Sequence, residues 1–139
     1  TGTDLADIWK DGIRSYLGLT IAGFPNAFMV YSPQAPTALS NGPTIIECQV
    51  DFVCDTIAKL EKEKAKSIEP TQQAQDEWRQ AIHAMNEPTL FPFTSSWWTG
   101  GNIPGKKAEV LTYPLGINNY EKQVRDTMDG WKGFEVVAA

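Results

Sequence analysis

Few residues of this chain have chemistry to offer. His83 is the single histidine, Cys48 and Cys54 are the two cysteines, and Trp97-Trp98 stand together in a run rich in Gly and Pro. A nucleophilic triad would have to use His83, and no Ser or Cys elbow motif accompanies it. A metal would need several ligands at fixed spacing, and neither His-x-x-x-His nor Cys-x-x-Cys is present. No paired-carboxylate motif is visible either. The expectation is a segment with no catalytic residue of its own and no metal site.

Residues 100–107, GGNIPGKK, match G-x-x-x-x-G-K and suggest a phosphate-binding loop. Such a loop next requires Ser or Thr for the magnesium ion, where Lys107 stands, and Pro104 removes one of the N–H groups that would cradle phosphate. No apolar strand leads into it. The match is rejected.

Two Gly/Pro-punctuated loops remain as candidate ligand-facing segments, residues 32–43 (SPQAPTALSNGP) and the irregular stretch 89–107 with its tandem tryptophans. Exposed tryptophans leave a large apolar area in water unless they cover something. The residues alone leave both readings open, a cap on the local core and a ligand contact.

The elements that must position these loops follow from pattern. Residues 5–9 read as a helical turn, 16–25 as an apolar interior strand, and 27–31 (AFMVY) as a short strand entering the first loop. Ile46, Val50, Val53, Ile57 and Leu60 recur at helical spacing after Pro43, which suits a first turn, and with Ile45 and Phe52 widening the stripe they predict the apolar face of a long helix. Its tail, KLEKEKAK, reads as a solvated helix end. Thr71 is the expected N-cap of a second helix carrying Ala74, Trp78, Ala81, Ile82 and Met85, closed by Asn86-Glu87-Pro88. Residues 107–113 alternate as a strand. Ile117, Tyr120, Val124 and Met128 mark a third helix, and 133–137 a last extended piece.

Composition bounds the rest. At 139 residues, with 42% apolar and 21% charged residues, the chain is a packed globular domain in size and kind. Twelve basic against seventeen acidic residues leave a net charge of −5, which argues against nucleic acid as a partner. No run is long enough to cross a bilayer and no signal peptide is visible. Cys48 and Cys54, six apart on one helix, point about 120° away from each other, a poor geometry for a bridge. Two free thiols acting as small core hydrophobes fit a reducing, cytoplasmic compartment.

YLGL with AGFPN, P-x-x-P-x-x-L-S-N at 33–41, SWW-x-G-x-N-I-P-G-K at 96–106, and Tyr120 with Gly133-Phe134 follow one another in an order that resembles the C-terminal part of the Baeyer–Villiger monooxygenases. The resemblance runs from residue 5 to residue 134. It implies an α/β fold, the C-terminal part of a flavoprotein with two dinucleotide-binding domains, here about three helices and a few short strands. It implies FAD and NADPH as cofactors, a ketone and molecular oxygen as substrates, and an ester or lactone as product.

By the same resemblance, Thr37, Ala38 and Leu39 line the substrate side, and the backbone at Asn41 and Gly42 approaches the flavin. Many relatives carry a larger residue at position 42, so the pocket is expected to be roomier there. Residues 95–107 resemble the family's control loop, in which Trp97, Asn102 and Lys106 meet the nicotinamide cofactor. The implied layout is 1–43 completing the FAD-binding domain, 44–88 two amphipathic helices, and 89–139 the control loop, a strand and a C-terminal helix. The family's G-x-G-x-x-G fingerprints are absent from the sequence, so the implied partner is the N-terminal part of the same enzyme, without which the segment is expected to be inert. Two alternatives stand beside this reading: an interaction module using the Trp97-Trp98 loop, and a related flavin N- or S-oxygenase.

Overall fold

The computed structural model describes residues 2–36 and 40–139. Its elements run α1 (Leu5–Ile8), α2 (Gly42–Lys62), β1 (Ala65–Pro70), α3 (Gln72–Asn86), α4 (Ile117–Asp126) and β2 (Phe134–Ala138), with short 3-10 turns at Phe91–Phe93 and Trp97–Thr99. This is a small α/β assembly, four helices and one two-stranded sheet among the described residues. No helix among them is long and apolar enough to cross a membrane.

The helices form where local chemistry says they should. Pro43 occupies the first turn of α2, where a missing N–H costs no hydrogen bond. Thr71 caps α3, its Oγ1 accepting from the Ala74 N–H at 3.0 Å. Ala74, Trp78 and Ile82 of α3 are buried as the spacing predicts. Trp78 stacks on Tyr113, with centroids 5.7 Å apart, and Tyr113 meets Tyr120 of α4 edge-on at 5.5 Å. This aromatic column is the centre of the core.

Four expectations are corrected. The first concerns α2: Ile45 and Phe52 of the expected stripe are buried, but Gln49 and Thr56 turn inward with them while Ile46, Val50 and Ile57 are exposed. Gln49 is taken inside because its amide is fully used: Oε1 accepts from the Tyr31 N–H at 2.7 Å and Nε2 donates to Tyr120 Oη at 2.8 Å. Cys54 is likewise exposed, so only Cys48 of the two thiols is partly enclosed by the core.

Second, β1 begins where the KLEKEKAK segment reads as solvated helix. Ala65–Pro70 pairs antiparallel with β2, Ile68 opposite Val136 and Pro70 opposite Phe134. Third, residues 16–25 and 27–31 are not strands. Leu17 (φ 60°) and Gly18 (φ 62°) are both left-handed and fold 16–20 into a tight turn closed by the Tyr16–Thr20 bridge. A Cβ on Gly18 would stand 2.7 Å from the Ala35 nitrogen, so glycine is required there. Asn26 (φ 60°) then lies along β1 and stands in for a third strand: its N–H donates to Ile68 O, and its Oδ1 accepts from Ile68 N. Fourth, 107–113 is extended but forms no ladder; its backbone bonds go to loops instead.

Candidate functional site

The extended segment after residue 108 joins the two candidate loops. The Leu111 N–H donates to Trp98 O at 3.1 Å, and Leu111 O accepts from the Gln34 N–H at 2.7 Å. On either side, the Glu109 N–H donates to Thr99 O at 2.9 Å and the Tyr113 N–H to Ala35 O at 3.1 Å. One residue thus holds the tryptophan loop and the Pro33 loop against each other. Between them lies a cleft of about 220 Å³ lined by Tyr31, Ser32, Pro33, Trp97, Trp98 and Leu111.

Trp97 lies on Trp98 with centroids 3.5 Å apart and is 57% exposed, whereas Trp98 is partly covered and also meets Phe91. Both tryptophans line the cleft, Trp98 half-buried between Phe91 and Trp97 and Trp97 largely exposed. The rest of 100–107 is a series of tight turns, with the Ile103 N–H on Gly100 O and the Lys106 N–H on Ile103 O. Asn102 and Lys106 are exposed on it. A 3-10 turn precedes these residues and an extended segment follows, so the strand-to-helix setting of a phosphate-binding loop is absent.

Asn41 is the N-cap of α2 and is exposed, with no side-chain capping bond. The first-turn N–H groups of a helix lack intrahelical acceptors, and no acidic residue stands in this first turn. Gly42 faces Tyr31: a Cβ there would lie 3.5 Å from Tyr31 Oη and 3.6 Å from the ring. The room expected at Gly42 is therefore bounded by a tyrosine ring. Thr37, Ala38 and Leu39 lie outside the described residues.

Tyr31 and Glu109 are the residues that sequence reasoning missed. Tyr31 lines the cleft between the two candidate loops, and its only signal in the sequence is its place at the end of AFMVY. Glu109 is buried, its side chain 3% exposed, with Arg79 Nη2 and His83 Nε2 each 3.3 Å from Oε2. His83 has the Glu109 carboxylate beside it, and no metal-binding cluster occurs among the described residues. Burial raises the Tyr120 hydroxyl's pKa, an effect opposed by its hydrogen bond from Gln49, so it remains a neutral donor to Leu17 O at 2.6 Å.

The chain is 40% identical over 138 residues to an FAD-binding monooxygenase of Aspergillus aculeatus. It is 38% identical over 138 residues to the cyclopentanone 1,2-monooxygenase of a Comamonas species, and 40% identical over 134 residues to a phenazine N-monooxygenase of Lysobacter antibioticus. These alignments take in 99%, 99% and 96% of this chain. Cyclohexanone monooxygenase from Rhodococcus sp. Phi1, solved with NADP+, superposes with a TM-score of 0.92 at 41% identity over 96% of the chain. No protein-family model matches. The chain spans about a quarter of the length of the curated relatives it matches, and 25% of that solved chain.

In sequence and in fold the chain resembles one region of the flavoprotein monooxygenases. Within them it is most like the Baeyer–Villiger monooxygenases in these comparisons, and it matches the C-terminal region of the cyclohexanone monooxygenase structures.

Proposed function

We propose that this chain completes the flavin site and supplies the nicotinamide lid of an FAD- and NADPH-dependent Baeyer–Villiger monooxygenase, which inserts oxygen beside a ketone carbonyl to give an ester or lactone. The observation that carries the reading is the likeness over almost the whole chain to ketone monooxygenases, one of them solved with NADP+. FAD, when bound, supplies the oxygen activation; the residues of this chain bind, orient and exclude water.

The residues present fit both cofactors. Asn41 and Gly42 begin a helix whose open N–H groups and positive dipole end suit the flavin edge that becomes negative on reduction. Trp97, with Asn102 and Lys106 exposed on the same loop, offers an aromatic face, an amide and a cation to a nicotinamide nucleotide. Thr37, Ala38 and Leu39, between the cleft-lining Pro33 and Gly42, are assigned to the ketone side. Residues 1–43, 44–88 and 89–139 then serve as flavin-domain completion, helical support and lid-bearing segment.

The test is the complete protein, loaded with FAD and supplied with NADPH, oxygen and cyclic or acyclic ketones. Ketone-dependent NADPH oxidation with one ester or lactone formed per NADPH is expected. The phenazine N-monooxygenase relative favours a second reading, oxygen transfer to an aromatic ring nitrogen. An N-oxide formed from a phenazine, with ketones inert, would select it.

A further inference from the structure

Glu109 belongs to no cofactor contact assigned above, yet it is the most enclosed carboxylate of the candidate site. Three parts of the chain converge on it. Its Oε1 accepts the Ile13 N–H, while Arg79 and His83, one turn apart on α3, meet Oε2 at 3.3 Å each. Gly12 (φ 124°) lets the N-terminal segment close over the group, since a Cβ there would stand 2.4 Å from Arg79 Nη2 and 2.8 Å from Glu109 Oε1. The backbone of the same residue holds the base of the tryptophan loop through Thr99 O, and two residues on Leu111 holds Trp98 O.

We propose that Glu109 is a positioning residue for the Trp97 loop: its buried carboxylate, fixed by Arg79, His83 and the Ile13 amide, pins the strut on which the lid is hinged. What the loop closes over rests on the function proposed above; the pinning does not. A buried carboxylate with donors from separate segments has one low-energy position, because leaving any donor unmet inside the protein is costly. Residue 109 can shift only if that whole set breaks. Among the described residues the backbone N–H groups of the turns at 100–106 bond only within the loop, to Ser96, Trp97, Gly100 and Ile103, so the loop is free to move about that fixed base.

The experiment uses the complete protein with Glu109→Gln, which keeps shape and removes charge, alongside Arg79→Met and the double variant. The expected result is a rise of about tenfold in KM for NADPH, with kcat changed less than twofold and flavin content retained, because a displaced lid loses orientation of the nucleotide. More NADPH should be consumed without product. Amide hydrogen exchange at residues 98–111 should quicken, and the double variant should be no worse than either single. Faster exchange with unchanged KM for NADPH overturns the positioning role, as does a KM effect accompanied by proportional loss of flavin. A wild-type protein that binds no NADPH overturns the functional reading instead. Exchange at 98–111 untouched by Glu109→Gln overturns the pinning, whichever way that reading falls.

Discussion

Gly42 and Tyr31 form a complementary pair at the start of α2. A Cβ at position 42 meets the Tyr31 ring at 3.5–3.6 Å, an ordinary contact, so Gly42→Ala is expected to stabilise the protein by about 0.5 kcal/mol through the unfolded chain's lost freedom. Gly42→Met must instead displace the ring, whose backbone is tied to Gln49 through the Tyr31 N–H. That variant is expected to narrow the ketone range, and Tyr31→Ala should restore it; melting curves and a ketone panel on the complete protein check both. The cysteines separate by environment. Burial, with Glu121 and Asp51 adding to it, pushes the Cys48 thiol up to about 11, while Cys54 is exposed. Such a shift from 9.0 leaves ~100-fold less thiolate at pH 8. Iodoacetamide should therefore label Cys54 first, and the Cys48 rate should keep rising tenfold per pH unit until about pH 11, as peptide mass spectrometry would show.

At the level of elements, α2 shows what pattern can and cannot say. Its helical period, its proline start and the place of Ile45 and Phe52 on its apolar face were legible, but Gln49 and Thr56 join those two inside while Ile46, Val50 and Ile57 stay exposed. Gln49 reads as a surface residue until its partners, Tyr31 and Tyr120, are brought to it by distant parts of the chain. The same non-locality hid β1: AKSIEP has no apolar alternation, and its pairing lies some seventy residues onward in β2. The segment 107–113 alternates in sequence yet bonds to loops, and its burial does not alternate: Glu109, Val110, Thr112 and Tyr113 are all buried. By contrast α3 was legible throughout, because its cap, stripe and stop are all local. As for the site, the two loops could be read from glycine, proline and tryptophan content. Their joining through Leu111 and the Glu109 cluster could not, since both depend on tertiary contacts. Gln49→Leu tests the weight of that hidden network: Tyr120 Oη and the Tyr31 amide lose a partner, and an unmet buried group costs about 1–3 kcal/mol by denaturant unfolding.

For the whole molecule, the question is what the exposed stripe of α2 does. Ile46, Val50 and Ile57 stand 38–47% exposed on one side of a helix whose other side is core, and a helix apolar on both sides is usually interior. A two-stranded sheet is marginal by itself, so the fold leans on irregular segments and on the aromatic column instead of a broad sheet. Both facts agree with a chain that spans a quarter of its relatives' length. Val50→Gln and Ile57→Gln together should then lower the stability of the complete protein by about 2 kcal/mol or more, as for truncated core positions. In the 139-residue chain alone the same pair should leave the melting curve within about 0.5 kcal/mol while reducing self-association seen by light scattering. That isolated chain should melt with weak cooperativity, retain no flavin after gel filtration and oxidise no NADPH. A monodisperse, sharply melting chain whose stability falls equally in both settings would mean that the stripe packs within these residues, and that the segment stands as a domain in its own right.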